Sequence, residues 1–158
     1  WYIRVIMPKS SMLFSDELEL YEFNKGNIKS KVIKNFLIFN ITGKNDSLGL
    51  KFNNKFFFHK FQNNINKKEY LVDNIMNFLK KNHIIVDNQF SIIVNQGPGS
   101  FSAIRTSLAI AKGIQITKKI KLYGFVSAQL PDFTIENIEI LIKNNKLENK
   151  LIKPLYIS

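Results

Sequence analysis

The chain has 158 residues, with 23 Lys and Arg against 12 Asp and Glu, for a formal net charge of +11. That length holds one domain with a real core and argues against two full ones. Without cysteine and with only His59 and His83, it excludes a disulfide framework and cysteine-ligated zinc, disfavours a histidine-rich metal site, and suits a reducing cytosol. No apolar run approaches the ~20 residues that cross a bilayer, and the first residues lack the apolar core and cleavage site of a secretion signal, so no membrane partner is expected. The positive charge invites a nucleic-acid reading, but Lys and Asn are abundant all along the chain, which makes much of the excess compositional.

Residues 1–35 form an N-terminal extension: Ser15-Asp-Glu-Leu-Glu19 caps a short helix or makes an acidic turn, and 25–34 is basic and polar. From Phe36 the pattern is regular. Phe36-Leu-Ile-Phe39 is a continuous apolar run suited to a central strand, and 47–52 alternates like a half-buried one. Asn53-Asn54 tolerates positive φ and suits a tight hairpin into a third strand at 55–61. Asn66 caps a helix expected over 67–82, with Leu71, Ile75, Phe78 and Leu79 on one face and Tyr70, Val72 and Met76 broadening it. A strand at 90–95, a helix at 100–117, a strand at 121–126 and a short helix at 134–144 capped by Thr134 complete the series. The order βββαβαβ matches half of a ribonuclease-H-like or actin-like ATPase domain, a mixed five-stranded sheet with helices against it, which by itself specifies no activity.

The most informative stretch is Asn95-Gln-Gly-Pro-Gly-Ser-Phe-Ser-Ala-Ile-Arg105, set between strand and helix. Gly97 and Gly99 permit a sharp turn with exposed amides, Pro98 stiffens the bend, and Ser100 is a good N-cap. Such a loop is either a phosphate-binding site or an ordinary strand-to-helix turn. In the helix that follows, Phe101, Ile104, Leu108 and Ala111 make one apolar face, with Ala103, Ser107, Ile110 and Ile114 beside it. Ser102, Thr106, Ala109 and Gly113 form a third stripe of small residues, and only Arg105 and Lys112 mark a wet edge. So little polar surface implies cover on two sides, from the sheet and from a neighbouring helix or a partner chain.

The string NQGPGSFSAIRTSLAIAKG, Asn95 to Gly113, resembles the GxGPGSFTGLRxGxAxAKG signature of the bacterial TsaB (YeaZ-like) family, the smaller partner subunit in tRNA threonylcarbamoyladenosine synthesis. Weaker resemblance runs from Phe36 to Leu50, where Asn40, Ile41 and Thr42 occupy D-T-S positions. It continues through Lys67-Lys-Glu-Tyr-Leu71, which keeps Glu69 and Leu71 of an HSExL pattern, to Lys153-Pro-Leu-Tyr-Ile157, similar to a PLYLR-like end. The resemblance implies an N-terminal lobe at 36–126 and a second lobe mostly missing, reduced to a helix and tail at 127–158. It also implies a non-catalytic subunit in the cytoplasm that docks on the catalytic relative TsaD through its two helices.

The interface so implied comprises Glu69, Leu71, Ile75, Ser102, Arg105, Thr106, Ala109 and Gly113, with Glu69 and Arg105 setting orientation at the rim. Asn40 cannot supply the carboxylate that organises metal and phosphate in actin-like ATPases, and no Ser/His/Asp triad is present; no metal site, cofactor or catalytic residue is expected of this chain alone. ATP and magnesium are expected of an assembled complex, which also brings tRNA and a TsaE-like ATPase. A homodimer remains a second arrangement. Two other classes stay open: a small nucleotide-binding enzyme using Gly97, Gly99 and Ser100, and a basic tRNA-binding module using Lys118, Lys119 and Lys121.

Overall fold

The computed structural model describes residues 33–61, 67–144, 147–149 and 152–155, and of 67–70 the backbone alone. The expectations for the N-terminal extension and for the Asn66 cap lie outside these residues. From Ile33 onward the described chain belongs to one compact unit.

Strands β1 (Asn35–Asn40), β2 (Ser47–Phe52) and β3 (Lys55–Lys60) lead into helix α1 (Lys67–Lys81), followed by β4 (Phe90–Asn95), α2 (Phe101–Lys118), β5 (Lys121–Phe125) and α3 (Ile135–Lys143). The sheet runs β3-β2-β1-β4-β5. The β1 strand pairs parallel to β4, and β4 parallel to β5, whereas β1–β2 and β2–β3 are antiparallel. This is the mixed order of the ribonuclease-H-like and actin-like fold, and each element falls within a residue or two of where the sequence sets it.

Local chemistry accounts for the boundaries. Asn53 and Asn54 sit at φ 51° and 65°, the left-handed pair that a two-residue hairpin demands. Ser100 caps α2 by accepting from the Ala103 amide at 3.2 Å, and Thr134 caps α3 from Asn137 at 3.2 Å. At the far end of α2, Lys119 takes the left-handed conformation, at φ 56°, and its amide bonds the Gln115 carbonyl, closing the helix where glycine is more usual.

The central strands β1 and β4 are buried on both faces, whereas the edge strand β3 is largely exposed. Leu37, Phe39, Leu48, Leu50, Ile92 and Val94 pack in one core with Leu71 and Ile75 of α1 and Ile104 and Leu108 of α2. Phe36, Ile38, Ile93, Tyr123 and Phe125 pack in a second with Ile138, Leu141 and Ile142 of α3. That two-sided burial is why β1 and β4 read as unbroken apolar runs rather than alternating ones. Of the segment 127–158, read from sequence as the reduced remnant of a second lobe, the described helix α3 covers the sheet face opposite α1 and α2, and residues 147–149 bridge to the β5 edge at Gly124–Glu148. Three inward aliphatic side chains in nine residues give this helix a stripe whose burial stabilises the lobe by about 1.5–3 kcal/mol per side chain. A Lys51–Glu139 ion pair links it to β2.

Candidate functional site

The glycine loop is gripped from two directions. On one side lies the turn after β1, which is pinned by the fully buried Asp46: its Oδ1 accepts from the amides of Thr42 at 3.0 Å and Gly43 at 2.8 Å. The Ser100 amide donates to the Thr42 carbonyl at 2.8 Å, and a Cβ on Gly99 would lie 2.7 Å from Thr42 Cβ and 2.8 Å from its carbonyl oxygen. On the other side runs the C-terminal segment. Leu155 donates to the Gln96 carbonyl at 2.6 Å, and Gln96 Nε2 donates to Lys153 O at 3.0 Å. Gly97, at φ +110°, brings its Cα against the Leu155 carbonyl, into which a Cβ would project.

These contacts explain both glycines by close backbone approach. The Gly97 amide already donates to Asn95 Oδ1 at 2.7 Å, and the Ser100 amide to Thr42. Of the three amides that the phosphate reading would use, those of Gly97 and Ser100 are engaged inside the chain.

A neutral hydrogen-bonded cluster joins the strand ends beside this loop. Asn95 Nδ2 donates to Asn40 Oδ1 at 2.7 Å and to Ser127 Oγ at 3.2 Å, while the Ser127 hydroxyl lies 3.3 Å from the Pro98 carbonyl. Asn40 thus holds β1 to β4 by its side-chain amide, where a carboxylate would leave two oxygens for a cation or its waters. Sequence reasoning missed Ser127 and the Gln96–Leu155 strap. A buried Asn at a strand end is a signal for the former; the latter pairs residues nearly sixty positions apart and has no local signal. His59 on β3 and His83 after α1 share no cluster with acids: among the described residues no group of three His, Cys, Asp or Glu is placed to hold a metal.

The helix residues expected at an interface separate into two sets. Leu71 and Ile75 are buried in the lobe's own core, which corrects the reading that assigned them to a partner: the α1 face they define is the one that seals the sheet. Glu69 lies in the first turn of α1, its side chain outside the described atoms. On α2, Ile104, Ser107, Leu108 and Ala111 are buried, Ser102 and Thr106 half-buried, and Arg105, Ala109 and Gly113 exposed. Nothing stands within 4 Å of where a Gly113 Cβ would be. Phe101, expected inward, is 57% exposed and lies under the Arg105 guanidinium at 5.0 Å, and Ile116 is 76% exposed. On α1, Val72 and Met76, expected to broaden the core face, are each 53% exposed. On α2, Phe101 and Ile116 therefore stand exposed on the helix that carries the small-residue stripe, and on α1 Val72 and Met76 are exposed as well, where a charged skin is normal.

No protein-family model matches the chain. The tRNA threonylcarbamoyladenosine biosynthesis protein TsaB of Buchnera aphidicola subsp. Baizongia pistaciae (strain Bp), a curated relative, is 33% identical over 85 residues, 54% of this chain and 38% of its own. Among solved structures, YeaZ from Pseudomonas aeruginosa superposes with a TM-score of 0.53 at 15% identity, over 60% of this chain and 44% of that one. A crystal structure described as an uncharacterized protein with similarity to peptidase YeaZ, from the same organism, gives 0.52 with the same identity and coverage. The chain thus resembles TsaB in sequence over about half its length, and YeaZ in fold. It spans under half the length of the curated relative and of the solved chains it matches. Within this lobe, the glycine loop is the segment locked between the β1 turn and the C-terminal strap. Next to it begins the small-residue stripe of α2, half-buried at Ser102 and Thr106 and exposed at Ala109 and Gly113.

Proposed function

We propose that the chain serves in tRNA threonylcarbamoyladenosine formation as a non-catalytic, cytoplasmic subunit that docks on a TsaD-like catalytic protein. The observation that carries the reading is the outer face of α2, where Phe101 and Ile116 stand exposed around the small residues Ser102, Thr106, Ala109 and Gly113. Small residues let a partner helix approach closely, and flanking apolar side chains supply area to remove from water, at about 25 cal/mol per Å² before ordering costs. Arg105, stacked on Phe101, presents its charge at the edge of this surface, where it governs orientation and encounter more than strength. The interface is revised to α2 with Val72 and Met76 of α1, in place of Leu71 and Ile75. Resemblance to TsaB, a protein named for this biosynthesis, supports the pathway. In this reading ATP, magnesium, a TsaE-like ATPase and tRNA belong to the assembled complex.

Co-expression of this chain with TsaD from the same genome tests it. The two are expected to elute together in size-exclusion chromatography at low micromolar concentration. Separate elution, with the chain monomeric or self-paired, would remove the proposal.

A further inference from the structure

The excess positive charge is not spread evenly. Among the described side chains, Lys and Arg nearly balance Asp and Glu except at one end of the sheet, where β1, β3, β4 and β5 begin and both α1 and α2 finish. The register sets Asn35, Lys55 and Lys121 within one residue of the same level. Lys55 opens β3, Lys34 immediately precedes β1 and Lys121 opens β5, so these three charges belong to the first, third and fifth strands of the sheet. At ~4.8 Å per strand they span about 19 Å. Lys80 and Lys81 close α1, and Lys118 and Lys119 close α2, at this same end. All seven lysines are exposed, and among the described residues none is paired with an acid. Asp87 is the one carboxylate in the connecting loops here, and its Oδ1 accepts from the Gln89 amide at 2.9 Å. Glu139, on the α3 face, is held by Lys51.

Helix ends account for part of this charge, since Lys80, Lys81 and Lys118 offset the carbonyl ends of α1 and α2. Lys34, Lys55 and Lys121 serve no helix end, and Lys119 holds its charge at φ 56°, a conformation that favours glycine. We infer that this end of the sheet binds the phosphate backbone of a base-paired nucleic acid. Between the lysines stand the exposed Asn53, Asn54, Asn88 and Gln89, and Lys, Asn and Gln are among the side chains that contact phosphate and sugar. Protein interfaces are instead depleted of Lys and rest on aromatic anchors, whereas Ile85 is the one large apolar side chain exposed in these loops. No Phe, Tyr or Trp ring is exposed at this end among the described residues; Phe52 stacks on Phe90 at 5.7 Å. The surface therefore offers unstacked bases no aromatic platform, which separates it from a single-strand site. Lys118, Lys119 and Lys121, conspicuous in the sequence, are thus one part of a wider basic surface, and none of its residues is assigned to docking.

Fluorescence anisotropy with the full chain and no partner tests the inference. The probes are an RNA hairpin, a DNA duplex of the same sequence and a single strand of equal length, over a range of KCl concentrations, with phosphatidylserine vesicles as a further anionic surface. Duplex affinity is expected to fall with salt at a logarithmic slope of about −3 to −5, matching about three to five neutralised phosphates. Lys55→Gln with Lys121→Gln removes charge from this end, and Lys44→Gln with Lys60→Gln removes as much from the opposite end of the sheet. All four positions are exposed, and both double variants are checked for native circular dichroism. The first pair is expected to weaken duplex binding about ten-fold at about 100 mM KCl and to reduce the slope by about 2, the second to weaken it less than about two-fold. The more tightly bound duplex identifies the nucleic acid. Equal weakening by the two pairs would trace binding to net charge and overturn the site. No duplex binding at low salt, with or without retention on the vesicles, or a single strand bound more tightly than either duplex, would overturn it as well.

Discussion

Gly99 and Gly113 show how one residue type answers to two different constraints. Gly99 is closed in by Thr42, so Gly99→Ala forces a Cβ into backbone and side chain and is expected to cost about 1–3 kcal/mol, read as a lowered urea midpoint at unchanged slope. Gly113 faces open space within a helix, and Gly113→Ala is expected to gain about 0.5–1 kcal/mol by the same measurement. Tyr123 supplies a pH dependence. Burial raises its phenol above the usual 10.0, so as pH climbs past that value the unfolded chain releases the proton first. The stability this residue contributes is complete below pH 10 and is lost as pH rises toward the native value. Tyr123→Phe is expected to flatten that alkaline fall in urea titrations, and an unchanged pH profile would remove Tyr123 as its source.

At the scale of elements, α3 is as much a part of the sheet's packing as α1 or α2. Ile138 is fully buried against the face that holds Phe36 and Ile93. Ile138→Ala is expected to cost about 2–5 kcal/mol in chemical denaturation, whereas a loss below 1 kcal/mol would mark α3 as a detachable appendage. The element order was legible because it rests on local signals: apolar runs, an Asn-Asn hairpin, and Ser and Thr caps. Facing was less so. A helical wheel ranks Phe101 with Ile104 and Leu108, yet it stays outside beneath Arg105 while Ile104 and Leu108 are buried. Val72 and Met76 likewise satisfy the apolar period of α1 but lie on the flank that Leu71 and Ile75 leave uncovered. The glycine loop was recognisable from its letters, but its grip by the Leu155 segment was not, since nothing near Gln96 encodes the return of a distant strand of chain.

For the molecule as a whole, the same helical layer seals the core with one side and presents apolar side chains with the other. Burial of Leu71, Ile75, Ile104 and Leu108 accounts for the inner side without any partner. Phe101 and Ile116 on α2, and Val72 and Met76 on α1, are apolar side chains that folding of the described chain leaves exposed, and the docking proposal assigns them to TsaD. The direct test compares the affinity for TsaD of the unaltered chain with that of Gly113→Leu and Ala109→Leu, each checked for native circular dichroism. Both substitutions add bulk at exposed helical positions that the lobe tolerates. The account predicts tight binding by the unaltered chain and at least about ten-fold weaker binding by each variant, equivalent to about 1.4 kcal/mol. Equal affinity in all three proteins would contradict it.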